Sequence, residues 1–324
     1  MRPSIFATHP LFPEARTLLD AHCEVEYWQR PERPTRTEFL RQVGPKDGVI
    51  CLLTEKIDKE MLAAAPKLRI AANVAVGYDN VNVMDCTSRK VVVTNTPGVL
   101  DETTADFAWT LLMCTARRVG EGESLCRSGQ WAGWNLDQLC GGDVWGKTLG
   151  VIGFGRIGRA VARRSRGFGM KVIYTDAIRA PEGVEHELGA RYVDMDSLLA
   201  SADFISLHVP MMAGTHHLIN AERLKKMKRT GYLINTARGP VVDNEALFQA
   251  LKAGTIAGAG IDVHEQEPKI HAGLAGLKNV VLTPHIASAS IETRTKMACI
   301  AAENVLALFG GQRPPNVVNP EALG

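Results

Sequence analysis

Short runs of apolar and β-branched residues alternate along the chain with segments in which apolar residues recur at helical spacing. In the first hundred residues the apolar runs predict strands at Ser4–Ala7, Gly48–Leu53, Arg69–Val74 and Val91–Thr94. Helical stretches lie between them, at Pro13–Ala21 and Asp58–Ala65. Strands that alternate with helices in this way favour parallel sheets built from β-α units.

A long helix is expected next, from about Thr103 to Arg118, with Thr103 and Asp106 resembling a capping box at its start. From Val119 to Trp145 the helical periodicity weakens, and glycine and tryptophan become frequent. A stretch of this length without regular structure is unusual in a compact domain, and its three tryptophans would be costly to leave exposed. We expect an arm that packs on a second copy of the chain; a plain surface loop is the alternative.

The alternation resumes in the second half of the chain. Six further β-rich runs are predicted, at Thr148–Gly153, Lys171–Asp176, Phe204–Val209, Tyr232–Thr236, Ala257–Asp262 and Val280–Thr283. A final helix over Ile291–Phe309 can lead the chain back to the first domain. Six strands with helices between most of them are what a dinucleotide-binding domain requires.

Composition narrows the class of protein. A chain of 324 residues, 45% hydrophobic and 22% charged, is ordinary for a globular protein of about two domains. A net charge of +2 gives no bulk signal for nucleic acid or an anionic membrane. The seven cysteines are dispersed without a CxxC, which favours reduced thiols over disulfides or zinc. With neither a signal peptide pattern nor a long apolar run, we expect a cytoplasmic protein.

A glycine-rich turn follows the strand that begins at Thr148. Gly153 permits the tight turn, Gly155 lets backbone N–H groups reach a pyrophosphate, and Gly158 lets the next helix lie close to the strand. The turn opens a helical run, and the positive end of the helix dipole favours phosphate. This turn predicts a dinucleotide site.

Asp176 lies 18 residues beyond Gly158, at the end of the next strand. A carboxylate at that place accepts hydrogen bonds from the adenine ribose hydroxyls and repels a 2′-phosphate. NAD(H) is therefore favoured over NADP(H). Arg179 leaves NADP(H) possible, because a basic side chain there can partly neutralise a 2′-phosphate.

Three later segments carry unusual polar groups near strand ends: 235–240, 262–268 and 283–288. Together with the glycine turn, with 75–80 and with Gly98-x(5)-Thr-Ala-Asp, they resemble the D-isomer-specific 2-hydroxyacid dehydrogenases, in the glyoxylate/hydroxypyruvate reductase branch. The resemblance covers almost the whole chain. It implies two doubly wound parallel-sheet α/β domains with a cleft between them: a flavodoxin-like substrate domain (1–99 and 288–324) and a Rossmann cofactor domain (100–287) with a dimerisation arm at about 119–145.

The resemblance also assigns catalytic roles. Arg238 should bind the substrate carboxylate through its donor fork and polarise the 2-oxo group. His285 should give its proton to the carbonyl oxygen as hydride arrives from the nicotinamide. Glu267 should orient that imidazole and stabilise its charged form. A surface arginine, a turn carboxylate and a loop histidine are the alternatives for each residue taken alone.

The remaining site residues follow from the same resemblance. The expected cofactor contacts, besides the three glycines, Asp176 and Arg179, are Thr104, Arg156, Ile157, Val209, Pro210, Thr215, Thr236, Ala237, Asp262 and Ala287. The expected substrate contacts, besides Arg238 and His285, are Leu53, Val76, Gly77, Ser288 and, from a partner subunit, Trp134. No cluster has metal-ligand spacing, so no metal site is expected.

Several activities remain open. The substrate could be another 2-oxo acid, of the 2-ketogluconate or 3-phosphoglycerate type. A phosphorylated substrate would call for basic residues in the first domain's loops, where only Lys56 is available. Oxidation of phosphite is a more distant possibility. A non-catalytic NAD-sensing corepressor could retain the same Arg, Glu and His.

Overall fold

The computed structural model describes residues 2–324. The chain separates into two compact units: the first comprises residues up to Leu100 together with Ala289–Gly324, and the second comprises Asp101–Ser288. The strands are β1 Ser4–Ala7, β2 Glu24–Tyr27, β3 Gly48–Cys51, β4 Ile70–Asn73, β5 Val92–Thr94, β6 Thr148–Ile152, β7 Lys171–Thr175, β8 Ala190–Tyr192, β9 Phe204–Leu207, β10 Tyr232–Asn235, β11 Gly258–Ile261 and β12 Val280–Leu282.

The α-helices alternate with these strands in both units. They are α1 Pro13–His22, α2 Arg36–Val43, α3 Lys59–Ala64, α4 Val83–Ser88, α5 Asp101–Ala116, α6 Val119–Arg127, α7 Arg156–Arg164, α8 Glu182–Leu188, α9 Met195–Ser201, α10 Ala221–Lys226, α11 Asn244–Lys252, α12 Ala272–Ala275 and α13 Ile291–Phe309. No helix of residues 2–324 has both the length and the apolar composition needed to cross a membrane.

The first unit is built on a five-stranded parallel sheet in the order β2-β1-β3-β4-β5. Successive residues of a strand point to opposite faces, so Ile5 packs in the cluster beneath α1 and α13, whereas Phe6 packs in the cluster with Phe39 of α2 and Met61 of α3. Both faces are covered, which explains why the central strands read as continuous apolar runs.

The second unit contains a seven-stranded parallel sheet in the order β12-β11-β10-β9-β6-β7-β8. One face packs against α5 and α7, where Leu112 and Val161 are buried, and the other buries Leu198 of α9 and Leu247 of α11. The strand order reverses between β6 and β9. In doubly wound sheets, the carboxyl ends of the strands at such a reversal are where ligands bind.

The predicted fold class is confirmed, and the differences concern sheet edges and helix starts. Strands β2 and β8 were not predicted, because each is a short edge strand with exposed polar residues and no apolar run. Helices α2 and α4 were also missed. The capping box predicted at Thr103 is wrong, because α5 already begins at Asp101.

The predicted irregular segment 119–145 begins with a helix. Residues Val119–Arg127 form α6 although none of them is buried, so no apolar stripe indicated the helix in the sequence. Two ion pairs at helical spacing stabilise α6. Arg118 contacts Glu121 at 2.8 Å, and Arg127 contacts Glu123. The remainder, up to Trp145, contains no further helix or strand.

Candidate active site

The glycine-rich turn after β6 has the shape of a phosphate cradle. Gly153 has a φ of +91°, and a Cβ there would lie 2.7 Å from the backbone of His208. A Cβ on Gly158 would lie 2.1 Å from the carbonyl oxygen of Gly153. At Gly155, by contrast, no atom lies within 4 Å of where a Cβ would be. Only this middle glycine faces open space, which fits a dinucleotide approaching the backbone at the start of α7.

The end of β7 is tied to this turn through Asp176. Its Oδ2 accepts the N–H of Phe154 at 2.5 Å, which places the carboxylate beside the glycine cradle. Arg179 points to a different partner, since its Nε and Nη2 atoms each donate to Glu185 at 2.9 Å. Asp176, predicted to bind the adenine ribose, and Arg179, which could neutralise a 2′-phosphate, therefore have separate partners.

Glu267 and His285, which were predicted to act together, lie within hydrogen-bond distance of each other. Glu267 Oε2 lies 3.0 Å from His285 Nδ1, while Oε1 accepts the N–H of His264 at 3.0 Å. Both side chains are partly accessible, 38% for Glu267 and 29% for His285. The carboxylate thus engages Nδ1, one of the two ring nitrogens of His285.

The contacts of Glu267 also set its charge. Desolvation by burial raises the pKa of this carboxyl group, but hydrogen bonds from His285 and from the N–H of His264, together with the charge of the imidazoles, outweigh it. The net effect lowers the pKa of Glu267 below its ordinary value. The lowered pKa favours the ionised carboxylate beside the imidazole of His285.

Asp262 braces the loop that carries His285. The carboxylate is fully buried and accepts hydrogen bonds from Thr283 Oγ1 at 2.6 Å and from the N–H groups of Ile286 and Ala287 at 2.8 Å. The N–H of His285 donates to the carbonyl oxygen of Asp262, also at 2.8 Å. His285 has a φ of +57°, a left-handed conformation that a non-glycine residue adopts only when its surroundings impose it.

Arg238 follows β10 on a turn shaped by Asn235. The amide of Asn235 donates to the carbonyl of Arg238 at 2.9 Å and accepts the N–H of Ala237 at 3.0 Å. Gly239 packs so closely on the next loop that a Cβ would lie 2.0 Å from the carbonyl oxygen of His264. His264 in turn contacts the carbonyl of Thr283 through Nε2 at 2.9 Å. The three loops that carry the predicted catalytic residues are therefore directly connected.

The first unit presents backbone groups at the end of β4. The carbonyl of Val76 accepts from the amide of Asn95 at 2.8 Å, and the carbonyl of Gly77 accepts from that of Asn73 at 2.9 Å. Within residues 2–324, no hydrogen bond occupies the N–H groups of Val76 and Gly77. Leu53, after β3, is partly buried.

The other predicted residues occupy varied positions. Thr236 is buried, and its hydroxyl has no hydrogen-bond partner among the described residues, as expected of a group that meets a ligand. Thr215 Oγ1 donates to the carbonyl of Pro210 and closes the loop after β9, which also holds Val209.

Most of the remaining predicted residues lie on helices or follow the loop that Asp262 braces. Thr104 is buried within α5, Arg156 and Ile157 are the first residues of α7, and Ala287 and Ser288 follow that loop. Trp134 is 82% exposed and lies on the segment after α6.

Sequence reasoning missed the residues that hold the site in place. Asn73, Asn95 and His264 were given no role. Asn95 and His264 each bond to a backbone carbonyl 19 residues away, so no local spacing pattern marks them. Asn235 lies three residues before Arg238, in the segment 235–240, and that proximity was the available signal. No metal site was expected, whereas the donor atoms of His216, His217 and Glu265 all lie within 4.8 Å of one another. Nε2 of His217 is 2.6 Å from Glu265, which an ordinary ion pair explains.

Comparisons with known proteins agree on one family. Residues 109–287 match the model of the D-isomer specific 2-hydroxyacid dehydrogenase NAD binding domain. Glyoxylate reductases of Korarchaeum cryptofilum and Thermococcus litoralis are 50% and 48% identical, each over 100% of this chain and 98% of its own length.

Solved structures extend the likeness. A protein of Thermus thermophilus is 42% identical with a TM-score of 0.91, covering 97% of this chain and 99% of its own. An NADPH-dependent glyoxylate/hydroxypyruvate reductase of Sinorhizobium meliloti, in complex with NADP and malonate, is 34% identical with a TM-score of 0.86, covering 99% of this chain and 98% of its own. The chain belongs to the D-isomer specific 2-hydroxyacid dehydrogenases, in the branch that contains the glyoxylate reductases, and is a nicotinamide-dependent oxidoreductase.

Proposed function

We propose that the protein uses NADH to reduce glyoxylate to glycolate or hydroxypyruvate to its D-2-hydroxy acid. The observation that carries the proposal is the pairing of Glu267 with His285 Nδ1 at 3.0 Å, on loops braced by the buried Asp262. We assign the proton transfer to Nε2 of His285, and the pair is on the same unit as the glycine cradle. The relatives named glyoxylate reductase support this substrate class.

Each catalytic side chain has one task. The nicotinamide cofactor, when bound, supplies the hydride. His285 gives its Nε2 proton to the carbonyl oxygen, and Glu267 keeps the ring oriented and compensates its positive charge. Arg238 binds the substrate carboxylate and withdraws electron density from the 2-oxo group.

The first unit contributes contacts for a small acid. The Asn95 amide on the carbonyl of Val76 fixes the peptide plane that carries the N–H of Gly77. We assign the N–H groups of Val76 and Gly77 to the substrate carboxylate. Leu53 favours a small, uncharged substituent on the 2-oxo carbon. A phosphorylated substrate ranks lower, because Lys56 is the only basic residue in 52–56 and 73–80.

The cofactor site favours NAD(H). Gly155 leaves space for the pyrophosphate, and Thr236 has a buried hydroxyl to offer. Asp176 supplies a carboxylate for the ribose hydroxyls and would repel a 2′-phosphate. The Sinorhizobium meliloti relative was solved with NADP, so the choice of nucleotide needs its own measurement.

We further propose that the segment 119–145 binds a second copy of the chain in a homodimer. Trp131, Trp134 and Trp145 are 55%, 82% and 76% exposed, and Leu136 is 80% exposed. Large apolar side chains clustered along one exposed segment are typical of an interface. The proposal predicts a dimer by sedimentation and a monomer after Trp134→Ser with Leu136→Ser.

Turnover measurements test the reaction. NADH and NADPH oxidation are followed with glyoxylate, hydroxypyruvate, pyruvate and 2-ketogluconate. His285→Ala should lower kcat by about a thousandfold. His271→Ala is a matched control, because Nε2 of His271 lies 3.0 Å from Glu245 in a second histidine–glutamate pair of the same unit. Nucleotide binding without turnover of any 2-oxo acid would reject the proposal and favour a cofactor-sensing protein.

A further inference from the structure

Arg179 is the basic group nearest in sequence to the end of β7, three residues beyond Asp176. It lies in the turn between β7 and α8, and its side chain is 65% exposed. An arginine there would normally serve to bind a 2′-phosphate through two parallel hydrogen bonds. In this chain the donors along one edge of the guanidinium, on Nε and Nη2, are already engaged.

The partner of Arg179 is Glu185, in the middle of α8. Its carboxylate accepts hydrogen bonds from Nε and Nη2, each at 2.9 Å, so the pair is bidentate. The Glu185 side chain is only 10% exposed. Arg179 is thus held along one edge of its guanidinium by a carboxylate that is itself nearly buried.

A third residue also binds the carboxylate of Glu185. Tyr174, buried in β7, donates its hydroxyl hydrogen to Glu185 Oε1 at 2.5 Å and accepts the N–H of Ala180 at 2.9 Å. Hydrogen bonds from Arg179 and Tyr174 lower the pKa of Glu185 to about 2. The carboxylate therefore stays charged at physiological pH, and the pair with Arg179 carries no net charge.

We propose that Glu185 is a specificity-determining residue, which keeps the site selective for NAD(H) by holding the guanidinium of Arg179 away from a 2′-phosphate. The inference rests on the proposed cofactor site and adds a second element to it. Asp176 repels the 2′-phosphate directly, whereas Glu185 removes a nearby cation that could compensate for that repulsion. Selectivity then depends on a residue nine positions from Asp176 that acts through Arg179.

Direct nucleotide binding tests this without relying on turnover. NADH and NADPH are titrated into the protein, and binding is followed by fluorescence energy transfer from tryptophan. Glu185→Gln keeps the size of the side chain and removes the charge that holds Arg179. We expect its affinity for NADPH relative to NADH to rise about tenfold, the scale of one hydrogen bond to a charged group. In Glu185→Gln with Arg179→Ala, this gain should disappear.

Two controls separate the effect from damage to the fold. Glu187→Gln changes an exposed glutamate of the same helix and should leave the nucleotide ratio unchanged. Tyr174→Phe loosens the cluster but keeps the Arg179–Glu185 pair, so it should lower Tm with little change in the ratio. If Glu185→Gln does not fold, Arg179→Ala tests the inference instead. NADPH binding should not weaken in that variant, because Glu185 keeps the guanidinium from NADPH in the wild type.

Three results would overturn the inference. One is a Glu185→Gln protein that binds NADH normally with an unchanged nucleotide ratio. Another is a wild-type preference for NADPH that Arg179→Ala abolishes, since Arg179 would then be available despite Glu185. If neither nucleotide binds the wild type, the proposed cofactor site fails together with the inference. NADH binding without turnover would instead reject only the proposed reaction.

Discussion

The turn after β4 in the first unit and the loops after β11 and β12 in the second are held in place by different chemistry. Neutral amides hold the first: Asn73 and Asn95 donate to two backbone carbonyls and leave the neighbouring N–H groups available. Carboxylates hold the second: Asp262 is buried beneath three donors, and Glu267 bridges His264 and His285. One arrangement presents a fixed dipole, and the other holds the imidazole to which we assign the proton transfer.

We attribute this difference to the charge of the group that each loop carries. A backbone N–H never changes its charge, so its support can be neutral. An imidazole that gives up and regains a proton needs a counter-charge that is already in place. A buried carboxylate, however, requires full hydrogen bonding to offset its desolvation. We therefore expect substitutions in the carboxylate-held loops to cost more than substitutions in the amide-held turn.

The largest effect is expected from Asp262→Ala. The change leaves Thr283 Oγ1 and the N–H groups of Ile286 and Ala287 without their acceptor, in a fully buried position. The free energy of unfolding should fall by about 3 kcal/mol, measured by urea denaturation. Asp243→Ala is the control, since Asp243 accepts from a single N–H, that of Ala246. Equal losses of unfolding free energy in the two variants would contradict the proposed bracing role of Asp262.

The next effect is on catalysis. Glu267→Gln keeps the shape of the side chain but removes the counter-charge beside His285, so kcat should fall about 10- to 100-fold. Glu265→Gln serves as a control two residues away, because Glu265 pairs with His217 instead. Its kcat should change by less than about threefold. A similar fall in both variants would mean that Glu267 supports the loop rather than the proton transfer.

Much of this contrast was visible in the sequence. His285, Glu267 and Asp262 lie in motifs with short, recognisable spacings at predicted strand ends, and the glycine turn follows its strand directly. Alternation of apolar runs and helical patterns was enough for the fold class, because both faces of each sheet are covered. Signals of this kind are local.

What could not be predicted depends on long-range contacts. Asn95 acts on Val76, 19 residues earlier, and His264 acts on Thr283, 19 residues later. Glu185 was overlooked because its proposed role depends on its hydrogen bonds with Arg179, which lies on the preceding turn. From the sequence alone, Arg179 could be interpreted only as a free cation. The capping box at Thr103 failed because two acidic residues, Asp101 and Glu102, already form the first turn of α5.

His208 is expected to make the free energy of unfolding depend on pH. Burial lowers the pKa of His208, at the end of β9, from 6.5 to about 3. The folded state therefore binds fewer protons here than the unfolded state, and stability present above the unfolded pKa is lost as pH falls from 6.5 towards 3. His208→Gln should reduce the slope of unfolding free energy against pH by up to about 1.4 kcal/mol per pH unit in this range. His186→Gln, at an exposed histidine, should leave the slope unchanged.

The smallest effect is expected in the amide-held turn. Asn95→Ala removes the donor to the carbonyl of Val76, so the N–H of Gly77 is held less firmly where we place the substrate carboxylate. Loss of about 1 kcal/mol of positioning should raise KM about fivefold and change kcat by less than about twofold, because the proton donor on the other unit is untouched. Asn82→Ala is the matched control: Asn82 also supports one hydrogen bond in the first unit, to the N–H of Asp85 at the start of α4. That variant should lose stability without a change in KM. A fall in kcat after Asn95→Ala would show that the amide-held turn contributes to the chemical step, and the division between a binding turn and proton-transfer loops would have to be abandoned.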